Sequence, residues 1–435
     1  MDRGVTTNGA GTRAPRVMLY SQDGRGLGHL RRAHAIGMRI AEVAPEAAVL
    51  TLTDSPLGRF FETPPNHDFL KLPSVVKVGP GEWRSLNLPV AIREVRALRA
   101  DLLQTAAAHF RPDVLLVDHM PHGAQGELLP ALDTLRSWGN TTIVLGLRDI
   151  LDAPGVVRER WRLEGAYDTI ERYYDRVLVY GQRDIFDLAD QYAMPPALLP
   201  RLTYCGYLCT PKAPKYARRI RHELMAGAEP GTRLVVAMAG GGADAFPVMR
   251  NLLDALPGIA ASQPCRLVVI TGPFMPRDER RRLQDDAAKS GLWVRVKEKV
   301  SDTLSYIEAA DALVTMAGYN TTVEVLRAGR PVVMVPRPGP SAEQRTRAAL
   351  FAARGWVDTV PPERLAPAAL GAAVLRALDA PATEGNGKGA HGAPALDGLR
   401  VAVDALLEEP RGSVVKLDGV ADRLVPDSAD DALAV

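Results

Sequence analysis

Cysteine is scarce: the 435 residues hold Cys205, Cys209 and Cys265, an odd number without a C-x-x-C pair. That argues against a disulfide framework and a cysteine zinc site, and it fits a reducing compartment. An excess of one charge is also lacking. With 53 basic against 51 acidic residues the formal net charge is +2, a balance unlike that of a dedicated nucleic-acid binder. No apolar run approaches the roughly 20 residues of a membrane-spanning helix. The opening MDRGVTTNGAGTRAPR lacks the apolar stretch of a secretory signal. Together these absences give the expectation of a cytoplasmic protein.

What is present is an ordinary globular composition, 46% hydrophobic and 24% charged. The length exceeds what one hydrophobic core supports, so two domains are expected. Short apolar runs alternate with helical patterns, the mark of an α/β fold with parallel sheets buried on both faces. In the first half the candidate strands are RVMLY (16–20), AVLTLT (48–53), VLLVD (114–118), TIVLGL (142–147) and RVLVY (176–180). After the proline- and lysine-rich CTPKAPKYARR (209–219), a second series reads RLVVAMA (233–239), RLVVITG (266–272), LWVRVK (292–297), ALVTM (312–316) and PVVMVP (331–336). The expected organisation is a flexible lead-in over 1–14, a first Rossmann-like domain over 15–208 and a second over 209–383. A glycine-rich connector over 384–398 and a C-terminal helix and tail over 399–435 follow. Two such domains place a ligand between the carboxyl ends of their strands.

Three loops carry candidate chemistry. The first strand runs into SQDGRGLGHLRRAHAIG, where Gly24, Gly26 and Gly28 precede His29 and Arg32. The order is G-x-G-x-G-H, which disfavours a dinucleotide site. The glycines serve either a plain turn or a close backbone approach, and a helix N-terminus keeps His29 neutral, as a proton acceptor must be. In the second domain Gly240, Gly241 and Gly242 precede Asp244, a candidate helix cap, and Pro247. Amides there suit a phosphate, a tight strand-to-helix turn being the alternative; no lysine follows as in a Walker loop. The third segment, 316–355, contains Gly318, Thr321 and Glu324. Thr321 and Glu324 have capping-box spacing, while Glu324 alternatively places a carboxylate on ribose hydroxyls. At strand ends, Arg148 and Asp149 read as acceptor-side or catalytic groups or as a surface ion pair. Asp118 and His119, at the equivalent edge of another strand, read as cleft groups of the same kind or as a helix cap beside a solvated histidine. In AIREVRALRADLL (91–103), Arg93, Arg96 and Arg99 share one side and Ile92, Val95, Leu98 and Leu102 another, a solvated face over a packed one or a face for an anionic membrane.

The third segment resembles the donor-binding signature of GT-B glycosyltransferases related to the bacterial N-acetylglucosaminyltransferase of peptidoglycan-precursor synthesis. Its matching residues are Gly318, Thr321, Glu324, Val335, Pro336, Glu343 and Gln344. The resemblance implies the GT-B fold, with Glu324 on ribose, Glu343 and Gln344 on the sugar, Gly240 to Gly242 on the diphosphate, and Lys299, Val300 and Ser301 facing the base. It also makes Gly26, Gly28 and His29 an acceptor-side loop. The chain departs from the family in having Arg347 and Ala348 after Gln344, where Asn-Ala is usual, which leaves the sugar open.

The resulting expectation is transfer of a sugar from a nucleotide donor, UDP by resemblance, to an unidentified small-molecule, glycan or lipid-linked acceptor. His29 or Asp149 would be the base and inversion the outcome the resemblance implies. No Asp-x-Asp pair occurs, so neither a metal nor a cofactor is expected beyond the nucleotide-sugar co-substrate, and no nucleic acid. Gly26, Gly28, His29 and Arg32 also resemble the Gly-x-Gly-His-x-x-Arg of a UDP-sugar hydrolase, which keeps hydrolysis open. A non-catalytic nucleotide-sugar sensor is the third alternative.

Overall fold

The computed structural model describes residues 13–22, 28–55, 63–79, 82–210, 213–380, 392 and 394–408. Among them the first half builds a parallel sheet of β1 (Arg16–Ser21), β2 (Ala48–Thr53), β3 (His67–Lys71), β6 (Val114–Asp118), β7 (Thr142–Arg148), β8 (Arg176–Tyr180) and β9 (Leu202–Tyr204), in the order β3-β2-β1-β6-β7-β8-β9. An antiparallel hairpin, β4 (Val75–Gly79) and β5 (Glu82–Ser85), stands outside it. The runs read as strands are buried along nearly their whole length, as strands covered on both faces must be. The covering helices are α1 (Gly28–Val43), α2 (Ile92–Phe110), α3 (Leu129–Trp138), α4 (Pro154–Glu164), α5 (Ala166–Tyr173) and the short α6 (Leu188–Gln191).

The second sheet contains β10 (Arg233–Met238), β11 (Cys265–Ile270), β12 (Val294–Lys297), β13 (Ala312–Thr315), β14 (Val332–Met334) and β15 (Asp358–Thr359), ordered β12-β11-β10-β13-β14-β15. Around it lie α7 (Ala217–Met225), α8 (Phe246–Ser262), α9 (Arg277–Lys289), α10 (Thr303–Ala309), α11 (Tyr319–Ala328), α12 (Glu343–Ala353) and α13 (Pro367–Asp379). The chain then returns: α14 (Gly398–Leu407) packs on α1 of the first half. One apolar cluster therefore runs from Val17 and Ile36 through Tyr207 and Leu399 to Tyr319 and Phe351. In each sheet the first strand of its half, β1 or β10, has a neighbour on either side and the order reverses there, the crevice position for a ligand.

Helix α2 corrects a sequence expectation. Arg99 does not share the solvated side with Arg93 and Arg96; it is fully buried, while Leu98 is exposed. Its Nε donates to Glu127 Oε2 at 2.5 Å and a terminal nitrogen reaches Asp54 at 3.3 Å, with Tyr20 donating to Glu127 at 2.6 Å. Paired carboxylates make this buried guanidinium tolerable.

Candidate functional site

Residues 23–27 are outside those described, so Gly24 and Gly26 receive no structural account. Gly28 opens α1, and His29 follows in its first turn. At the carboxyl end of β6, Asp118 is buried, with Oδ2 2.9 Å from His29 Nδ1 and 2.9 Å from an Arg32 terminal nitrogen. It caps no helix, contrary to the expectation, because its oxygen is engaged by α1. Burial pushes its carboxyl up, but Arg32 and His29 outweigh that and hold it below the usual range. The same His29 Nδ1 lies 2.7 Å from the Arg32 nitrogen, so it accepts from Arg32 in one tautomer and donates to Asp118 in the other, the latter leaving the Nε2 lone pair free.

His119, expected to be solvated, is half-buried, with φ +80° and its ring centroid 5.2 Å from that of His29. A positive φ is costly for a non-glycine residue and tends to mark functional positions. Its imidazole makes no hydrogen bond among the described residues. Burial, then Arg148, His29, Arg160 and Arg32, keep it neutral by lowering its pKa well below 6.5. Its strand-end position was visible in VLLVDH; its backbone strain was not.

In the second half, β10 runs into Gly240 (φ +56°), Gly241 and Gly242 (φ +86°). A Cβ on Gly242 would lie 1.8 Å from Thr271 O, so glycine is obligatory there. The turn closes through Gly242 N to Ala239 O at 3.0 Å and Ala245 N to Gly242 O at 3.2 Å. Helix α8 therefore starts at Phe246 with Ala245 in the cap position and Pro247 in the first turn. The exposed Asp244 is not the cap; it lies 3.7 Å from Arg337.

Helix α11 starts at Tyr319 after Gly318, so Thr321 already lies in the first turn and the capping-box reading of Thr321 and Glu324 fails. The Thr321 hydroxyl lies beside Gly240, 3.8 Å from where that residue's Cβ would stand. Glu324 is buried, and its Oε1 accepts from Arg31 across the cleft, while Oε2 is buried without a hydrogen-bond partner. Burial raises its pKa and Arg31 lowers it, burial being the larger. A second link between the halves is Asn320 Nδ2 donating to Gly28 O at 3.2 Å. The guanidiniums of Arg32 and Arg347 each lie 5.6 Å from the Tyr319 ring centroid.

Helix α12 is fastened to the first half by charge. Both oxygens of Asp149 accept from Arg347, at 2.8 and 2.6 Å, and Arg148 donates to Glu343 at 2.6 Å. Arg347 also donates to Glu343 at 3.1 Å and to Ala317 O at 2.9 Å. Asp149, Glu343 and Arg347 are buried. The expected surface ion pair of Arg148 and Asp149 is thus replaced by an interdomain network, and the Asp149 carboxylate, bidentate to arginine, is not poised as a base. Burial raises the Glu343 carboxyl, but Arg148, Arg347 and Arg337 bring it down to about 2. Gln344 accepts from Arg337 N at 3.1 Å. Val300 packs partly against the core and Ser301 is exposed in the turn after β12. Of the arginines that join the halves, Arg31 escaped the sequence reading and Arg347 was read only as a departure from the family pattern; Arg31 adjoins Arg32 but faces Glu324.

Residues 235–396 match the model of the glycosyltransferase family 28 C-terminal domain. The chain carries a family 28 glycosyltransferase domain. It is 22% identical over 352 residues to an uncharacterized glycosyltransferase of Methanosarcina mazei, spanning 77% of this chain and 82% of that one. Over 277 residues it is 28% identical to the UDP-N-acetylglucosamine--N-acetylmuramyl-(pentapeptide) pyrophosphoryl-undecaprenol N-acetylglucosamine transferase of Azotobacter vinelandii, covering 62% and 73%. Among solved structures, MurG of Acinetobacter baumannii superposes with TM-score 0.54 at 16% identity, covering 90% of this chain and 99% of that one. The glycotransferase of kitacinnamycin gives 0.55 at 20%, covering 85% and 92%. These likenesses establish the GT-B architecture, and the family 28 domain identifies the chain as a glycosyltransferase.

Proposed function

We propose that this glycosyltransferase moves a sugar from a UDP-linked donor to an acceptor hydroxyl or amine, with inversion and without a divalent metal. The observation that carries the reading is Glu324: a buried carboxylate whose Oε2 lacks a hydrogen-bond partner, one helical turn from Thr321, which lies beside Gly240, within the segment that matches the family 28 domain. A buried acceptor left unsatisfied is costly unless a ligand completes it, and vicinal ribose hydroxyls are suitable donors. Gly318 and Thr321 belong to the same strand-to-helix turn. The amides after β10 and the N-terminus of α11 meet the charge of the departing diphosphate. Val300 and Ser301 flank the base, and Glu343 and Gln344 border the sugar, with Glu343 acting through Arg148 rather than as a bare carboxylate.

On the acceptor side His29 Nε2 takes the proton of the attacking group, and Asp118 orients the ring and supports the imidazolium. Gly28 and Arg32 lie in the first turns of the helix that carries His29. The absence of Asp-x-Asp supports metal independence, and the few cysteines support a cytoplasmic location. Among the described residues no helix is long and apolar enough to cross a membrane. Leu88, Val90 and Leu98 are exposed near Arg93 and Arg96, which supports peripheral contact with an anionic membrane.

The test is release of the nucleoside diphosphate, UDP or dTDP, from a panel of UDP- and dTDP-sugars in the presence of hydroxyl and amine acceptors. The expected outcome is acceptor-dependent release that survives EDTA. Complete loss in EDTA, restored by magnesium, would overturn the metal-independent mechanism. Free sugar released as fast without acceptor as with it would establish the hydrolase instead.

A further inference from the structure

We propose that Arg31 is a donor-site residue supplied by the facing domain: it holds Glu324 while the donor site is empty and turns to the donor's diphosphate when nucleotide hydroxyls take that carboxylate. The inference rests on the reading of Glu324 as the ribose acceptor.

Three observations lead to it. Glu324 is buried, yet among the described residues Arg31 is its only hydrogen-bonding partner, and Oε2 has none. A carboxylate gripped on one oxygen is incompletely satisfied, so two donors from a ligand can replace one from the protein. Arg31 itself is 30% exposed and has no other ion-pair partner among the described residues, whereas its neighbour Arg32 is buried against Asp118. Of the two arginines, Arg31 is the one able to leave its place without uncovering a second buried charge.

The third observation is where a released guanidinium would go. Asn320 joins the first turn of α11 to Gly28 at the start of α1, and Thr321 lies against Gly240. Thr321 and Glu324 are three residues apart, hence neighbours on one helix face. A shift of about one helical turn, roughly 5 Å, carries the guanidinium from Glu324 toward the glycine loop. The N-terminus of α11 lies beside that loop, and Asn320 ties it to the start of α1, a setting for an anion that a guanidinium completes in bidentate fashion. The exchange preserves charge balance, because Glu324 gains neutral donors as Arg31 meets the diphosphate.

Calorimetric titration of the full-length protein with uridine and with UDP tests this. Arg31→Ala should bind uridine about 10-fold more tightly, since the competitor for Glu324 is gone. It should lose about 10-fold or more of its preference for UDP over uridine, the range of a lost charge-assisted hydrogen bond. Arg31→Lys, which keeps the charge without the fork, should retain part of that preference. Unchanged or weaker uridine binding by a folded Arg31→Ala protein overturns the displacement, and an unchanged UDP-to-uridine ratio overturns the diphosphate role. Glu324→Ala separates the premise: if it leaves uridine affinity intact, the ribose reading itself fails.

Discussion

Replacing Arg347 by alanine probes the contact on which the two halves depend. The side chain is about 1% exposed, spans from α12 to Asp149 and contributes two donors to that carboxylate, one to Glu343 and one to Ala317 O. A surface pair of this kind contributes under about 1 kcal/mol. Here the mutation leaves Asp149 buried with the Ile150 amide but no cation, while Glu343 keeps Arg148. One carboxylate uncompensated in the interior costs about 3–5 kcal/mol. Urea unfolding followed by circular dichroism should show that loss for Arg347→Ala. The double variant Asp149→Ala/Arg347→Ala should cost less than the sum of the single variants by about 2–3 kcal/mol. A loss below about 1 kcal/mol for Arg347→Ala, or strict additivity, would refute the claim that this pair is buried and coupled.

The remaining predictions concern the acceptor side and pH. His29→Ala should lower turnover by about 100-fold or more while UDP affinity holds; reduced UDP affinity with intact saturated turnover would move His29 to the donor site. His67, whose Nε2 lies 2.8 Å from the Thr51 hydroxyl, is lowered to about 4 by burial and by His34. The unfolded ring titrates near 6.5, so its contribution to stability is full above that value and lost as pH falls to about 4. Glu343, depressed from 4.5 to about 2, contributes fully above pH 4.5 and loses that contribution toward pH 2. Denaturation midpoints against pH should show both windows, with His67→Gln flattening the upper one and Glu343→Gln the lower.

The sheets were legible because continuous apolar runs such as VLLVD and RVLVY have few other uses. The edge strand HDFLK, half-exposed and mixed in polarity, was missed for the converse reason. Local spacing misled where a distant partner decides. Thr321 and Glu324 have capping-box spacing, yet the helix starts at Tyr319 and the carboxylate meets Arg31, 293 residues away. Arg99 sits at a polar position of the helical period and is drawn inside by Glu127 and Asp54. The glycines of the donor loop were readable as a phosphate cradle or a tight turn, and Gly242 against Thr271 O shows what the turn itself demands. Pairing of Asp118 with His29 and of Asp149 with Arg347 is tertiary, and no local pattern records it.

Calorimetric titration of UDP into the wild-type protein and Glu324→Ala measures directly whether Glu324 and the turn around it hold a nucleotide donor. Saturable wild-type binding is expected, weakened by about 1–3 kcal/mol, or roughly 5- to 150-fold, in a folded variant. Equal UDP affinity in the two proteins, or no binding by the wild type, would contradict it.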